Sequence, residues 1–155
     1  MNLRPFVIAL SLSAAALCST ASKPAPACGP VRAEDVVEAV VGNHFEALDM
    51  RDRERMLSAW NEGAAVVSIG QPTLVETVEQ ASTRWITHKQ PVTYKILKVE
   101  VADRTAKARV EVSFEGNKIE DSLLLVATRD DRWRIAGKSS RVLEAAARSG
   151  AASRY

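Results

Sequence analysis

The sequence predicts an α+β domain in which helices come first and a curved antiparallel sheet then wraps around them as a cone. Three observations carry this. Apolar residues recur at helical spacing from Val37 to Leu48 and again from Leu74 to Trp85. From Val92 onward the apolar period changes to two. Turn-forming pairs, Asp103-Arg104, Gly116-Asn117 and Asp130-Asp131, divide that second half at hairpin spacing. A long sheet curved over a helix buries its concave face and leaves a funnel at one end.

Each element follows from its residues. Val37, Val41, His44 and Leu48 share one helical stripe, widened by Val40 and Ala47, while Glu34, Glu38 and Glu46 lie away from it. Asp52 can cap a second, short helix whose buried side is Met56, Leu57 and Trp60, with Gly63 closing the unit. Ala64 to Ile69 is a short apolar run between Gly63 and Gly70, which predicts a buried strand. Thr73 and Glu76 match the capping box T-x-x-E, and Leu74, Val78, Ala81 and Trp85 continue as a helix that ends before Pro91. Thr93 to Val101 is a strand with a bulge expected at Ile96-Leu97, where alternation breaks. Lys107, Arg109, Glu111, Ser113 and Glu115 then alternate with Ala108, Val110, Val112 and Phe114, giving one wet face and one dry face. Ile119 to Thr128 forms the next strand, and Trp133 and Ile135 alternate with Arg132 and Arg134 in the last.

The first 22 residues are a different material. Arg4 precedes an apolar stretch from Phe6 to Leu17, then Ser19, Thr20, Ala21 and Ser22. This order predicts a secretory signal peptide over 1–22, with Ser19 and Ala21 at the cleavage site. The apolar run is shorter than the ~20 residues a spanning helix needs. Cys18 follows Ala15-Ala16-Leu17, a lipobox-like setting, so a lipoprotein anchored there is the alternative to a periplasmic or secreted protein. Residues 23–31 form a Pro/Ala-rich tether containing Cys28, residues 32–145 the domain, and 146–155 a flexible tail. With Cys18 removed, Cys28 has no partner for an intrachain disulfide.

The chain has 155 residues, which suits one domain, with 46% apolar residues and net charge +2. No segment is strongly basic, which argues against a nucleic-acid partner. The two histidines and two cysteines make no metal-type cluster. Neither a glycine-rich phosphate loop nor a nucleophile elbow is present, so no cofactor is expected.

The stretch Val40-Val41-Gly42-Asn43-His44-Phe45-Glu46-Ala47-Leu48-Asp49, followed by Asp52, Met56, Leu57, Trp60 and Ala64-Ala65-Val66, resembles the opening of nuclear transport factor 2-like domains. That superfamily includes ketosteroid isomerases and polyketide cyclases. Lys107 to Val112, Ile119 to Leu125, Asp131-Arg132-Trp133-Arg134-Ile135 and Lys138 resemble its putative lumazine-binding subgroup. The resemblance implies a cone fold but no single activity. An isomerase of this kind needs a carboxylate base near the end of the first strand, a tyrosine on the first helix and a protonated aspartate late in the sheet. By the resemblance, His44 stands at the tyrosine position, Ser68 near the base and Leu124-Leu125 near the aspartate. Two of the three roles are therefore empty, which argues against a ketosteroid isomerase.

Several residues remain as candidates for a ligand pocket. His44 lies on an apolar stripe and is either a pocket group or a hydrogen-bonded core histidine. Asp121 is in phase with Ile119, Leu123 and Leu125, so it is either a pocket acid or half of an ion pair with Lys138 or Arg109. Trp60, Trp85 and Trp133 either wall a site for a flat heteroaromatic or simply pack the core. Ser68, Ser139 and Tyr94 are candidate polar handles at the funnel mouth. The leading expectation is an exported, non-catalytic domain binding a small apolar or heteroaromatic molecule. One alternative is a cyclase- or dehydratase-like enzyme with His44 and Asp121 as acid–base pair. Another is a homodimer built on the outer sheet face around Ser122, Leu124 and Val126.

Overall fold

A computed structural model describes residues 31–70 and 72–145. The predicted signal peptide with Cys18, the tether up to Pro30 with Cys28, and the tail 146–155 lie outside the described residues.

Helix α1 (Ala33–Asp49) buries Val37, Val41, Gly42, His44, Phe45, Ala47 and Leu48. Glu34 and Asp35 occupy its first turn, where the helix dipole favours negative charge. Asp52 caps α2 (Arg53–Ser58) by accepting the Arg55 N–H at 2.9 Å. Arg55 then donates to Asn43 Oδ1 (2.8 Å) and Glu46 Oε2 (2.9 Å), fastening α2 to α1.

Trp60 does not belong to the second helix. It opens strand β1 (Trp60–Ile69), because α2 ends at Ser58 and Ala59 is its C-cap. Gly63, at φ +66°, lies within β1, whose register against its neighbour shifts between Trp60 and Ala65. The expected helix start at Thr73 is also displaced. Leu74–Thr77 forms strand β2, paired antiparallel with β1, and helix α3 (Val78–Trp85) begins only after it. The capping box is Thr77 with Gln80. Thr77 Oγ accepts the Gln80 N–H (3.4 Å) and Gln80 Oε1 accepts the Thr77 N–H (3.0 Å). Two T-x-x-E/Q patterns stand four residues apart, and pairing to β1 claims the first.

Strands β3 (Thr93–Ala102), β4 (Thr105–Phe114), β5 (Asn117–Ala127) and β6 (Trp133–Glu144) form the meander. The bulge falls where alternation breaks, between Ile96 and Lys98. The β4–β5 turn is Glu115-Gly116 rather than Gly116-Asn117. Both turn residues have positive φ (50° and 74°), as a tight primed hairpin turn requires. The sheet order is β2-β1-β6-β5-β4-β3, open at both edges. Among the described strands, only β1 and β6 pair in parallel.

The concave face carries the core. Ala106, Ala108, Val110 and Val112 of β4, Leu123 and Leu125 of β5 and Ile135 of β6 are buried with Val37, Val41, Phe45 and Leu48 of α1. Each of the larger side chains contributes about 1.5–3 kcal/mol by leaving water. The end of α1 is tied to the sheet side. Asp49 Oδ1 accepts the Val92 N–H at 2.7 Å, and His88 Nε2 lies 2.8 Å from the Leu48 carbonyl oxygen.

Candidate functional site

The funnel holds a cavity of about 330 Å³. Its deep part is Phe45 and Leu48 from α1, Trp85 from α3, Val112 from β4, Asp121 from β5, Lys138 from β6, and His88 from the segment after α3. Arg84, Thr87, Phe114, Glu115, Ile119, Ser68 and Ser140 form its more open rim.

The floor is an ion pair. Lys138 Nζ lies 2.7 Å from Asp121 Oδ2, with side-chain exposures of 8% and 2%. Neighbouring strand register explains the meeting. Asp121 faces Ser140 across β5–β6 and Lys138 faces Leu123, so the two charges sit diagonally on the same face. Lys138 Nζ also stands 4.5 Å from the centre of the Trp85 ring. Asp121 Oδ1 is buried with no hydrogen-bond partner among the described residues.

His44 lies behind this floor and is fully buried. Trp60 Nε1 donates to His44 Nδ1 at 3.1 Å, and the His44 ring centre is 6.0 Å from that of Trp85. Burial first, and the Lys138 charge second, push the His44 imidazole well below its ordinary range. It is therefore neutral, and because Nδ1 accepts, its proton is on Nε2. That Nε2 has no partner among the described residues. No hydrogen bond joins His44 to Asp121: one is held by Trp60, the other by Lys138.

Of the rim charges, that of Arg84 is matched by an opposite one. Arg84 meets Glu76 with two contacts of 2.7 Å, which hold the Glu76 carboxyl below the usual carboxylate range. Glu115 Oε1 accepts the Lys89 N–H at 2.6 Å.

The structure thus brings Ser68, Trp85 and Asp121 to one cavity, with His44 and Trp60 in the layer behind Trp85. Tyr94 stacks on Phe45 (5.1 Å between centres) and crowds α1, where a Cβ on Gly42 would meet its hydroxyl at 3.1 Å. Trp133 starts β6, at the opposite end of the strand from Ser140. Ser139 opens on the convex face beside Ser122 and Leu124, and Ser140 takes the cavity side instead. The β5–β6 register shift between Leu124 and Leu125 changes the phase of β6. At the positions the isomerase comparison singles out, Leu125 is packed in the core and Leu124 is exposed on the convex face. Sequence reasoning did not single out His88 or Arg84. His88 reaches the cavity from a loop, where no periodicity reports burial. Among the described residues, no group of three or more His, Cys, Asp or Glu gathers to hold a metal, and no helix is long and apolar enough to cross a membrane.

Solved structures share this architecture. A nuclear transport factor 2-like protein of unknown function from Silicibacter pomeroyi aligns with TM-score 0.64 at 20% identity, covering 69% of this chain and 92% of that one. One from Methylobacillus flagellatus gives 0.62 at 22% identity, covering 70% and 90%. A ketosteroid isomerase-like protein from Erwinia carotovora atroseptica gives 0.59 at 14% identity, covering 72% and 97%. At these identities the likeness establishes the fold alone. No functionally curated protein matches the chain. The family model described as "Putative lumazine-binding" matches residues 32–140. That match spans the helices and all but the end of the last strand; the chain belongs to this family and has the nuclear transport factor 2-like fold.

Proposed function

We propose that the cone binds a small molecule and does not transform it. The observation that carries this reading is the state of the floor. Its acid is engaged by Lys138, and the histidine behind it is neutral with its one accepting nitrogen taken by Trp60. No hydrogen bond joins the two groups into an acid–base relay. The cavity itself has the size and mostly apolar lining of a small-ligand site. Native mass spectrometry of the full chain, purified gently from cells, tests this. A mass excess of roughly a few hundred daltons that disappears on denaturation is expected. A clean apo mass together with no thermal shift from any member of a small-molecule library would overturn it.

A second reading rests on the two unpartnered atoms, His44 Nε2 and Asp121 Oδ1. A substrate reaching both would make them an acid–base pair of the cyclase or dehydratase kind. Turnover of a bound compound, abolished by Asp121→Asn and by His44→Phe in folded protein, would establish it. Turnover unaffected by either change would remove it.

We further infer export, from Arg4, the apolar run Phe6 to Leu17 and the small residues Ser19 to Ser22. Intact mass of the mature protein distinguishes the two routes. A new terminus at Ser22 means ordinary cleavage, whereas a diacylated Cys18 means a lipoprotein. An unprocessed chain retained in the cytoplasm would exclude both.

A further inference from the structure

We infer that the Asp121–Lys138 pair recognises an uncharged planar ring through a side-by-side donor and acceptor, the N–H and C=O of a cis-amide edge as found in lactams, imides and ureides. This rests on the ligand-binding reading above and specifies the class of ligand.

The floor presents both halves of the complement. A carboxylate accepts on both oxygens, and Asp121 uses only Oδ2, toward Lys138. Oδ1 is left as a buried acceptor with no partner among the described residues. Such an atom costs free energy until something donates to it. Lys138 carries three N–H donors. One meets Asp121 and the ammonium sits over the Trp85 face, which leaves donor capacity beside the vacant acceptor. A cis-amide edge donates to Oδ1 and accepts from Nζ at the same time.

Charge points the same way. The pair is neutral in sum, so a charged ligand would bring an uncompensated charge to a buried floor. The rim supplies no free cation to balance an anion, since Arg84 is matched by Glu76. The walls specify shape. Phe45, Trp85, Val112 and Phe114 enclose a space of about 330 Å³, which suits one or two fused flat rings.

The test is calorimetric titration of the full chain with three probes of matched size: 2-quinolone, N-methyl-2-quinolone and 2-naphthoate. The first has the whole edge, the second lacks the donor, and the third is an anion. 2-Quinolone is expected to bind about tenfold or more tightly than either of the others. The double variant Asp121→Leu/Lys138→Met replaces the pair by apolar groups of similar volume, a change buried pairs tolerate. It is expected to fold and to bind 2-quinolone and its N-methyl derivative equally. Equal affinities in the unaltered chain would overturn the edge inference and leave the binding reading standing. Tightest binding of 2-naphthoate would overturn it in favour of an anionic ligand. No binding of any probe to either protein would overturn it as well, while a retained native ligand of another class would still support the cone as a binding site.

Discussion

His44 and His88 are both buried, yet they are held in different ways. His88 Nδ1 lies 2.7 Å from the Gln90 carbonyl oxygen and Nε2 2.8 Å from that of Leu48. Each ring nitrogen thus faces a carbonyl oxygen. His44 has one nitrogen occupied by Trp60 and the other by nothing described. The first region is a clamp between the end of α1 and the loop after α3. The second, with Asp121 beyond it, is a place where the fold leaves polar groups incomplete. Completed bonding marks a structural residue; incomplete bonding in a cavity floor marks a surface waiting for a partner.

The largest expected effect breaks the floor. Lys138→Met leaves the Asp121 carboxylate buried and uncompensated, at a cost of about 3–5 kcal/mol in urea unfolding. The same change in the background of Asp121→Leu should cost far less. If the single and double variants are equally destabilised, the pair is not the unit. Next is the clamp. His88→Leu strands two carbonyl oxygens and should cost about 2–3 kcal/mol.

The comparison is sharpened by pH. The folded His44 pKa lies below its unfolded value, so its neutral ring is favoured by the fold. That contribution is whole above about pH 6.5 and is lost as pH falls from there toward the folded value. Stability measured at about pH 7.5 and 5.5 should therefore fall by about 1 kcal/mol more in the unaltered chain than in His44→Phe. An identical fall in both would exclude His44 as the source. The smallest effect belongs to the rim, where Arg84→Ala removes a half-exposed pair and should change stability by less than about 1 kcal/mol.

Much of the cone was legible because local periodicity carried it. The stripe of α1, the meander and the bulge at Ile96–Lys98 all follow from short-range pattern. Asp121 drew notice because a carboxylate in phase with Ile119, Leu123 and Leu125 needs a partner, and Lys138 is that partner. Strand β2 was not legible, because its four residues sit inside an apparent helix signal and only pairing with β1 decides them. Ser140 was missed in favour of Ser139 because the register shift moves the strand's phase. His88 gave no local sign, since one of its acceptors, on Leu48, lies 40 residues earlier.

The parallel pairing of β1 with β6 has a consequence for the order of assembly. Trp60 meets Ile135 and Ser68 meets Ser140 across the whole length of the described sheet sequence. Hairpins β3–β4, β4–β5 and β5–β6 close over short loops, but β1 and its small partner β2 have no place in the sheet until β6 is present. Such distant pairing is slow, because chain entropy is lost before contacts repay it. During synthesis β1 and β2 thus wait outside the sheet for the last strand to emerge.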